Sequence, residues 1–161
     1  MQKITPFLWF DGQAEEAANF YVSIFKNSRV LGVTRYSDGA PRTKGSVMTA
    51  SFELDGQPFT ALNGGPSFRF TEAVSFVVHC DTQQEIDELW DGLLAGGGTP
   101  TRCGWLKDKF GLSWQIVPNA MGPMLGDPDP IKAKRTLDAM MGMVKLDLNH
   151  LRAAHDGQTQ G

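Results

Sequence analysis

Apolar positions along the chain change their period twice, in the same order each time. Residues 3–10, KITPFLWF, alternate like a half-buried strand, and DGQAEEAANFYVSIFKNS then switches to helical spacing from Asp11 onward. Ala14, Ala17, Ala18, Tyr21, Ile24 and Phe25 recur at i, i+3, i+4 and i+7, which makes one apolar helix face. Three strand-like runs follow, RVLGVTRYS, SVMTASFEL and PFTALN, parted by the turn signals DGAPRTKG and DG.

The pattern restarts at VSFVVHC, Val74 to Cys80. In DTQQEIDELWDGLLAGGG, Thr82 and Glu85 have capping-box spacing, Ile86, Leu89, Trp90, Leu93 and Leu94 form the stripe, and Gly96 to Gly98 stop the helix. Extended segments return in TPTRCGW and LSWQIVP. Aligning Asp11 with Asp81 sets the halves about 70 residues apart, so each reads as a βαβββ module, the third strand of the second being the weakest. The expected class is α+β, a single domain over residues 1–155 built from modules 1–68 and 69–119 and a helical tail over 120–155. In the tail, Pro128 and Pro130 lead into a helix with Ala133, Leu137, Met140 and Met141 on one side, and LDLNHLRAA forms a second short helix. Met140, Met141 and Met143 read as packing rather than as a ligand surface. Residues 156–161 are expected to fray.

Composition narrows the function classes. A chain of 161 residues with 41% hydrophobic and 20% charged residues can bury a core without staples. A net charge of −3 without a basic block argues against a nucleic-acid or anionic-membrane partner. Neither a signal-peptide pattern nor an apolar run of spanning length is present, so the expected location is cytoplasmic. Cys80 and Cys103 sit outside any CxxC or Cys/His cluster and read as reduced thiols, not as a disulfide or zinc site.

Four stretches, ITPFLWFDGQAEEAANFY, ALNGGP, GWLKDKFGLSWQIVP and KAKRTLDAMMGMVKLDLNHLRAA, resemble the PhnB-like subfamily of the glyoxalase, bleomycin-resistance and extradiol-dioxygenase (vicinal oxygen chelate) superfamily. That subfamily carries a legacy label of demethylubiquinone methyltransferase. The resemblance implies curved sheets that form cups, and a homodimer. Metal-dependent members of the superfamily hold their ion at four cup-facing strand positions, which carry over to Thr5, Ser75, Gln115 and Ala61, or Leu62 one residue along. These offer neutral oxygens at best, whereas a catalytic divalent ion calls for imidazole and carboxylate ligands. No metal and no cofactor is therefore expected, and Gln115 reads as a polar group in the cup.

Strand parity extends that list. With Thr5, Ser75 and Gln115 facing the cup, Phe7, Trp9, Val77, His79, Ser113 and Val117 face it too. Leu8, Phe10, Phe76, Val78, Cys80, Trp114 and Ile116 then lie under the helices. Asn63, at the start of NGGP, projects toward the same mouth. The ligand-binding candidates are thus Thr5, Phe7, Trp9, Asn63, Ser75, Val77 and Ser113, a mixture of aromatic walls and a few polar groups that suits a small-molecule pocket. His79 and Gln115 are the candidates for acid–base chemistry, weighed against a hydrogen-bonded packing role. Cys103 has no placed histidine partner. Arg69, between two phenylalanines of the linking loop, reads as a surface residue.

The leading expectation is a metal-independent homodimer that binds a small apolar or aromatic molecule. The alternative is an isomerase, lyase or dioxygenase of the same fold, with or without a metal. Methyl transfer is disfavoured, because the glycine clusters at 63–65 and 96–98 do not join a strand to a following helix.

Overall fold

The two halves of the repeat arrive at one strand order. The computed structural model describes residues 2–158, and the chain divides into two units, Met1–Phe70 and Thr71–Gly161. The first holds β1 (Phe7–Phe10), α1 (Ala14–Ile24), β2 (Arg29–Arg35), β3 (Val47–Leu54) and β4 (Gln57–Asn63). Its sheet runs β1-β4-β3-β2, with β1 parallel to β4 and the other pairs antiparallel. The second holds β5 (Ser75–Cys80), α2 (Gln83–Leu94), β6 (Thr99–Pro100), β7 (Trp105–Lys107) and β8 (Ser113–Pro118), in the order β5-β8-β7-β6 with β5 parallel to β8. Three tail helices follow: α3 (Met121–Leu125), α4 (Pro130–Met141) and α5 (Leu148–Asp156). Among the described residues no helix is long and apolar enough to cross a membrane.

In the first unit, helix α1 packs on the sheet through three alanines and a tyrosine. Ala14, Ala17, Ala18 and Tyr21 are fully buried, and Tyr21 stacks on Phe52, which stacks on Phe59 at 5.4 Å. The helix starts three residues after Asp11, where the sequence placed its opening. Gly12 takes a φ of 82°, Gln13 supplies no side-chain cap, and the cap comes instead from Asn63, whose Oδ1 accepts from the Ala14 amide at 2.8 Å. Strand β1 is shorter than the predicted 3–10. Pro6 has no amide to give to a ladder, so pairing begins with its carbonyl, which accepts from the Thr60 amide at 3.0 Å. At the other edge β2 is exposed along its whole length, Val30, Leu31 and Val33 included, and two register irregularities bend it.

In the second unit the Thr82 hydroxyl accepts from the Glu85 amide, while the Glu85 carboxylate reaches back to the Asp81 amide, one residue earlier than an ideal box. Strand β6 is only two residues long, since Pro100 lacks a donor and the chain turns back by way of the Trp105 amide donating to the Arg102 carbonyl. Between β7 and β8, Asp108 is 3% exposed and organises the hairpin: Oδ1 accepts from the amides of Phe110 and Leu112, and Oδ2 from Trp114 Nε1 at 2.9 Å.

The tail belongs to the second unit. Amides of Cys103 and Gly104 donate to the carbonyls of Met143 and Val144, and Gln83 bridges the Leu146 carbonyl and the Leu148 amide. Lys145 pairs with Asp87 at 2.8 Å. Met121, Met124, Leu146, Leu148 and Leu151 form a core, with Met140 and Met143 packed against it. Two expectations need correction here. The face of α4 that meets this core is centred on Thr136, not on Leu137 and Met141, which are exposed; the Thr136 hydroxyl is spent inside its own helix on the Lys132 carbonyl, so burying it costs little. The C-terminus is ordered further than expected, because Asp156 is still helical and Gly157, with a φ of 78°, caps α5; the rest of the predicted frayed segment, 159–161, lies outside the described residues. Helix α3 has no counterpart in the predicted elements, since MGPML shows no helical period.

Candidate functional site

Each sheet has one face turned to its helices and one turned away, and the sequence-predicted residues sort between them by parity. Leu8 and Phe10 on β1, Cys80 on β5, and Trp114 and Ile116 on β8 are buried. Phe7, Trp9, Val77, His79, Gln115 and Val117 are more exposed and lie on the open faces. Thr5 precedes β1 and is exposed outside the sheet. Ser113 is the exception by burial: it shares the face of Gln115 yet is only 1% exposed, and its hydroxyl has no partner among the described residues.

On the second sheet the register brings the predicted polar residues into rows. Ser75, Ser113 and Lys107 stand opposite one another across β5, β8 and β7, and Val77, Gln115 and Trp105 form the next row. Gln115 Nε2 donates to Ser75 Oγ at 2.9 Å. Lys107 donates to Glu72, and that hydrogen bond holds the Glu72 carboxyl below the usual glutamate range. His79 is exposed and makes no side-chain hydrogen bond with another described residue, so no carboxylate orients it for proton transfer. Val117 packs on the tail core, which covers that end of the face.

The open face of the first sheet is aromatic, and its own loop covers it. Trp9 Nε1 donates to the Gly65 carbonyl at 2.9 Å, and Phe68 meets its ring edge-on at 4.9 Å. Gly64 lies flat on the indole: a Cβ there would stand 2.3 Å from a ring carbon. Phe70 contacts Phe10 on the opposite side of β1, which leaves Arg69, between the two phenylalanines, exposed. Asn63 departs from its predicted position. It pairs with Phe10, and its amide joins the Ala14 amide to the Val47 carbonyl, so it faces the helix side and borders a cleft of about 450 Å³ lined also by Asp11, Glu15, Tyr36 and Arg42.

The register also corrects the fourth carried-over metal position. Gln115 pairs with Val77 on β5, and Phe7, the repeat counterpart of Val77, pairs with Thr60; Ala61 is fully buried on the helix side. The four equivalent positions are therefore Thr5, Thr60, Ser75 and Gln115. Three hydroxyls and an amide do not fit a catalytic divalent ion, and among the described residues no group of three or more His, Cys, Asp and Glu side chains is placed to hold one. The thiols differ in kind. Burial pushes Cys80 up to about 12, with Glu85 and Asp81 adding to the effect, whereas Cys103 is half-buried beside Met141.

Two residues that shape these faces were not singled out in the sequence. Asp108 carries a readable signal, an aspartate three residues before a glycine in the turn that leads into a strand; Arg42, which donates to the Gly64 carbonyl, carries none.

Paired βαβββ units with this strand order make a glyoxalase-like fold. The crystal structure of a genomically encoded fosfomycin resistance protein from Listeria monocytogenes shares the fold at a TM-score of 0.51 and 13% identity, covering 74% of this chain and 93% of that one. A protein from Pseudomonas aeruginosa does so at 0.60 and 19%, covering 73% and 98%. The PhnB protein of Bacillus cereus, whose description carries a 3-demethylubiquinone-9 3-methyltransferase name, is 40% identical with a TM-score of 0.66, covering 73% of this chain and 99% of that one. A family model described as 3-demethylubiquinone-9 3-methyltransferase matches residues 2–117. The chain belongs to this PhnB-like family. The match ends within β8, so the tail helices lie outside it. No curated protein matches the chain.

Proposed function

We propose that the chain is a metal-independent binder of a small apolar or aromatic molecule, acting as a homodimer, with the open sheet faces as its binding surfaces. The observation that supports this most is the Gln115–Ser75 hydrogen bond: a neutral amide and hydroxyl occupy positions where metal-dependent relatives place their ligands. Val77 and Trp105 flank that pair, and Phe7 is 60% exposed on the first sheet, so apolar surface adjoins the polar groups. On the open faces His79 makes no side-chain hydrogen bond with another described residue, so binding is better supported there than turnover.

The methyl-transfer reading comes only from the name of the family and its relatives. A glycine-rich turn feeding a helix from a strand would favour it, but Gly96 to Gly98 follow α2, and Gly64 and Gly65 are packed by Trp9 and Arg42.

Elemental mass spectrometry of untagged protein, followed by thermal-shift titration with divalent ions, tests the central point. The expected result is well under one metal per chain and no shift. One bound metal per chain with a raised melting temperature would overturn the reading. Sedimentation analysis tests the dimer.

A further inference from the structure

Asn63 and Gly64 form the only Asn–Gly bond in the chain; Asn19, Asn27, Asn119 and Asn149 precede phenylalanine, serine, alanine and histidine. Asparagine before glycine is where a chain most readily attacks itself, because glycine has no side chain to hinder closure of a five-membered ring between its own nitrogen and the asparagine Cγ. The fold puts a partner on each group that this reaction would move. The Gly64 amide, the nucleophile, donates to the Phe10 carbonyl at 3.0 Å. The Asn63 side chain, the electrophile, is held at both ends, Oδ1 accepting from the Ala14 amide at 2.8 Å and Nδ2 donating to the Val47 carbonyl at 3.1 Å. The carbonyls of Asn63, Gly64 and Gly65 accept from Tyr36, Arg42 and Trp9.

We propose that Asn63 is a modification site, where deamidation to aspartate and isoaspartate is held off by the folded first unit and admitted whenever the Asn63–Gly65 segment opens. This is independent of the binding reading above. In the open segment the Gly64 nitrogen gives its proton to water and attacks Cγ, forming the new C–N bond; Nδ2 takes up a proton and leaves as ammonia. Water then opens the succinimide at either carbonyl, with nothing oxidised or reduced. In the closed segment the Gly64 proton is committed to Phe10, and Cγ cannot turn toward the nitrogen without breaking both side-chain bonds, so the rate follows the population of the open form. The product cannot close as before. Aspartate still accepts from the Ala14 amide but brings an oxygen, in place of a donor, to the Val47 carbonyl, and adds a charge to a cleft already lined by Asp11 and Glu15. Isoaspartate routes the backbone through the side-chain carbon, which adds a methylene between the end of β4 and the Gly64 amide. Each opening that reacts therefore leaves a lasting mark on the cap of α1.

The test incubates the full chain, folded and unfolded in guanidinium, in mildly alkaline heavy-oxygen water and follows the peptide containing Asn63 by mass spectrometry. The expected result is conversion in the folded chain at least about tenfold slower than in the unfolded one. Trp9→Phe, which removes the indole donor to Gly65, should speed the folded reaction and leave the unfolded rate unchanged. Tyr36→Phe, which removes the donor to the Asn63 carbonyl, takes its place if that variant does not fold. Asn63→Asp should melt about 3 °C below wild type. Equal rates in the folded and unfolded chains would overturn the protection, and folded rates that neither variant raises would overturn gating by this segment. An Asn63→Asp chain that melts with wild type would overturn the lasting damage, whereas one that does not fold would support it.

Discussion

The first and second units share a strand order and differ in what secures it. In the first, side chains from the strand ends do the work: Asn63 caps α1, Tyr36 donates to the Asn63 carbonyl at 2.5 Å, and Trp9 holds the loop at Gly64 and Gly65. In the second, a buried carboxylate organises the hairpin, and the segment between α4 and α5 ties down the connection between β6 and β7. Repetition has kept the topology and replaced the fasteners. The open faces diverge in the same way, aromatic and covered by a loop in one unit, more polar and ordered in cross-strand rows in the other.

Five substitutions probe that contrast. Asp108→Ala should have the largest effect, about 3 kcal/mol, because it strands the amides of Phe110 and Leu112 and the Trp114 indole inside the protein. Asp55→Asn, in the matching hairpin of the first unit, should cost less than about 0.5 kcal/mol, since Asp55 is exposed with a φ of 48° that asparagine tolerates. Urea unfolding of both variants measures the difference, and equal losses would mean that the two hairpins are held alike. Gly64→Ala should cost about 2 kcal/mol through the collision with Trp9, and a red shift of tryptophan emission would report the displaced loop.

Acid should act on the tail, which the first unit lacks. Asp87 is held below the ordinary aspartate value near 3.8 by hydrogen bonds from Lys145 and then Gln83, and Asp127 by the Asp129 amide and then His155. For a depressed carboxyl, the stabilisation is complete above the ordinary value and is lost as pH falls through the lower folded one. Melting temperature should therefore fall below about pH 4, less steeply in Asp87→Asn than in wild type; identical slopes would remove Asp87 from the account. The smallest effect belongs to Arg29→Ala. Its pair with Glu53 is exposed on β2, and denaturation midpoints should barely move.

Local rules made most of the fold legible. The period of 3.6 at Ala14, Ala17 and Tyr21 and the alternation through SVMTASFEL mark α1 and β3 because one face of each is buried. The tail was less readable. On α4, Thr136 hides its polarity in a bond to its own helix while Leu137 and Met141 stay exposed, so hydrophobicity misplaces the face. At the candidate site, parity placed Gln115 and Ser75 on one face, but their hydrogen bond spans 40 residues and depends on the parallel register of β5 and β8. Asn63 faces the helix side for a related reason: its partners, Ala14 and Val47, become neighbours only once the sheet and α1 are assembled.

The one-sided attachment of the tail also orders events in time. Synthesis runs from the N-terminus, so the first unit has every residue of its sheet and helix once Phe70 has left the ribosome. The second has its last strand at Pro118, yet the amides of Cys103 and Gly104 must wait for the carbonyls of Met143 and Val144, and the Met121 core for Leu151. Some thirty residues of translation therefore separate a complete sheet from a braced one, an interval in which chaperones and proteases meet the second half with its fastenings still unmade.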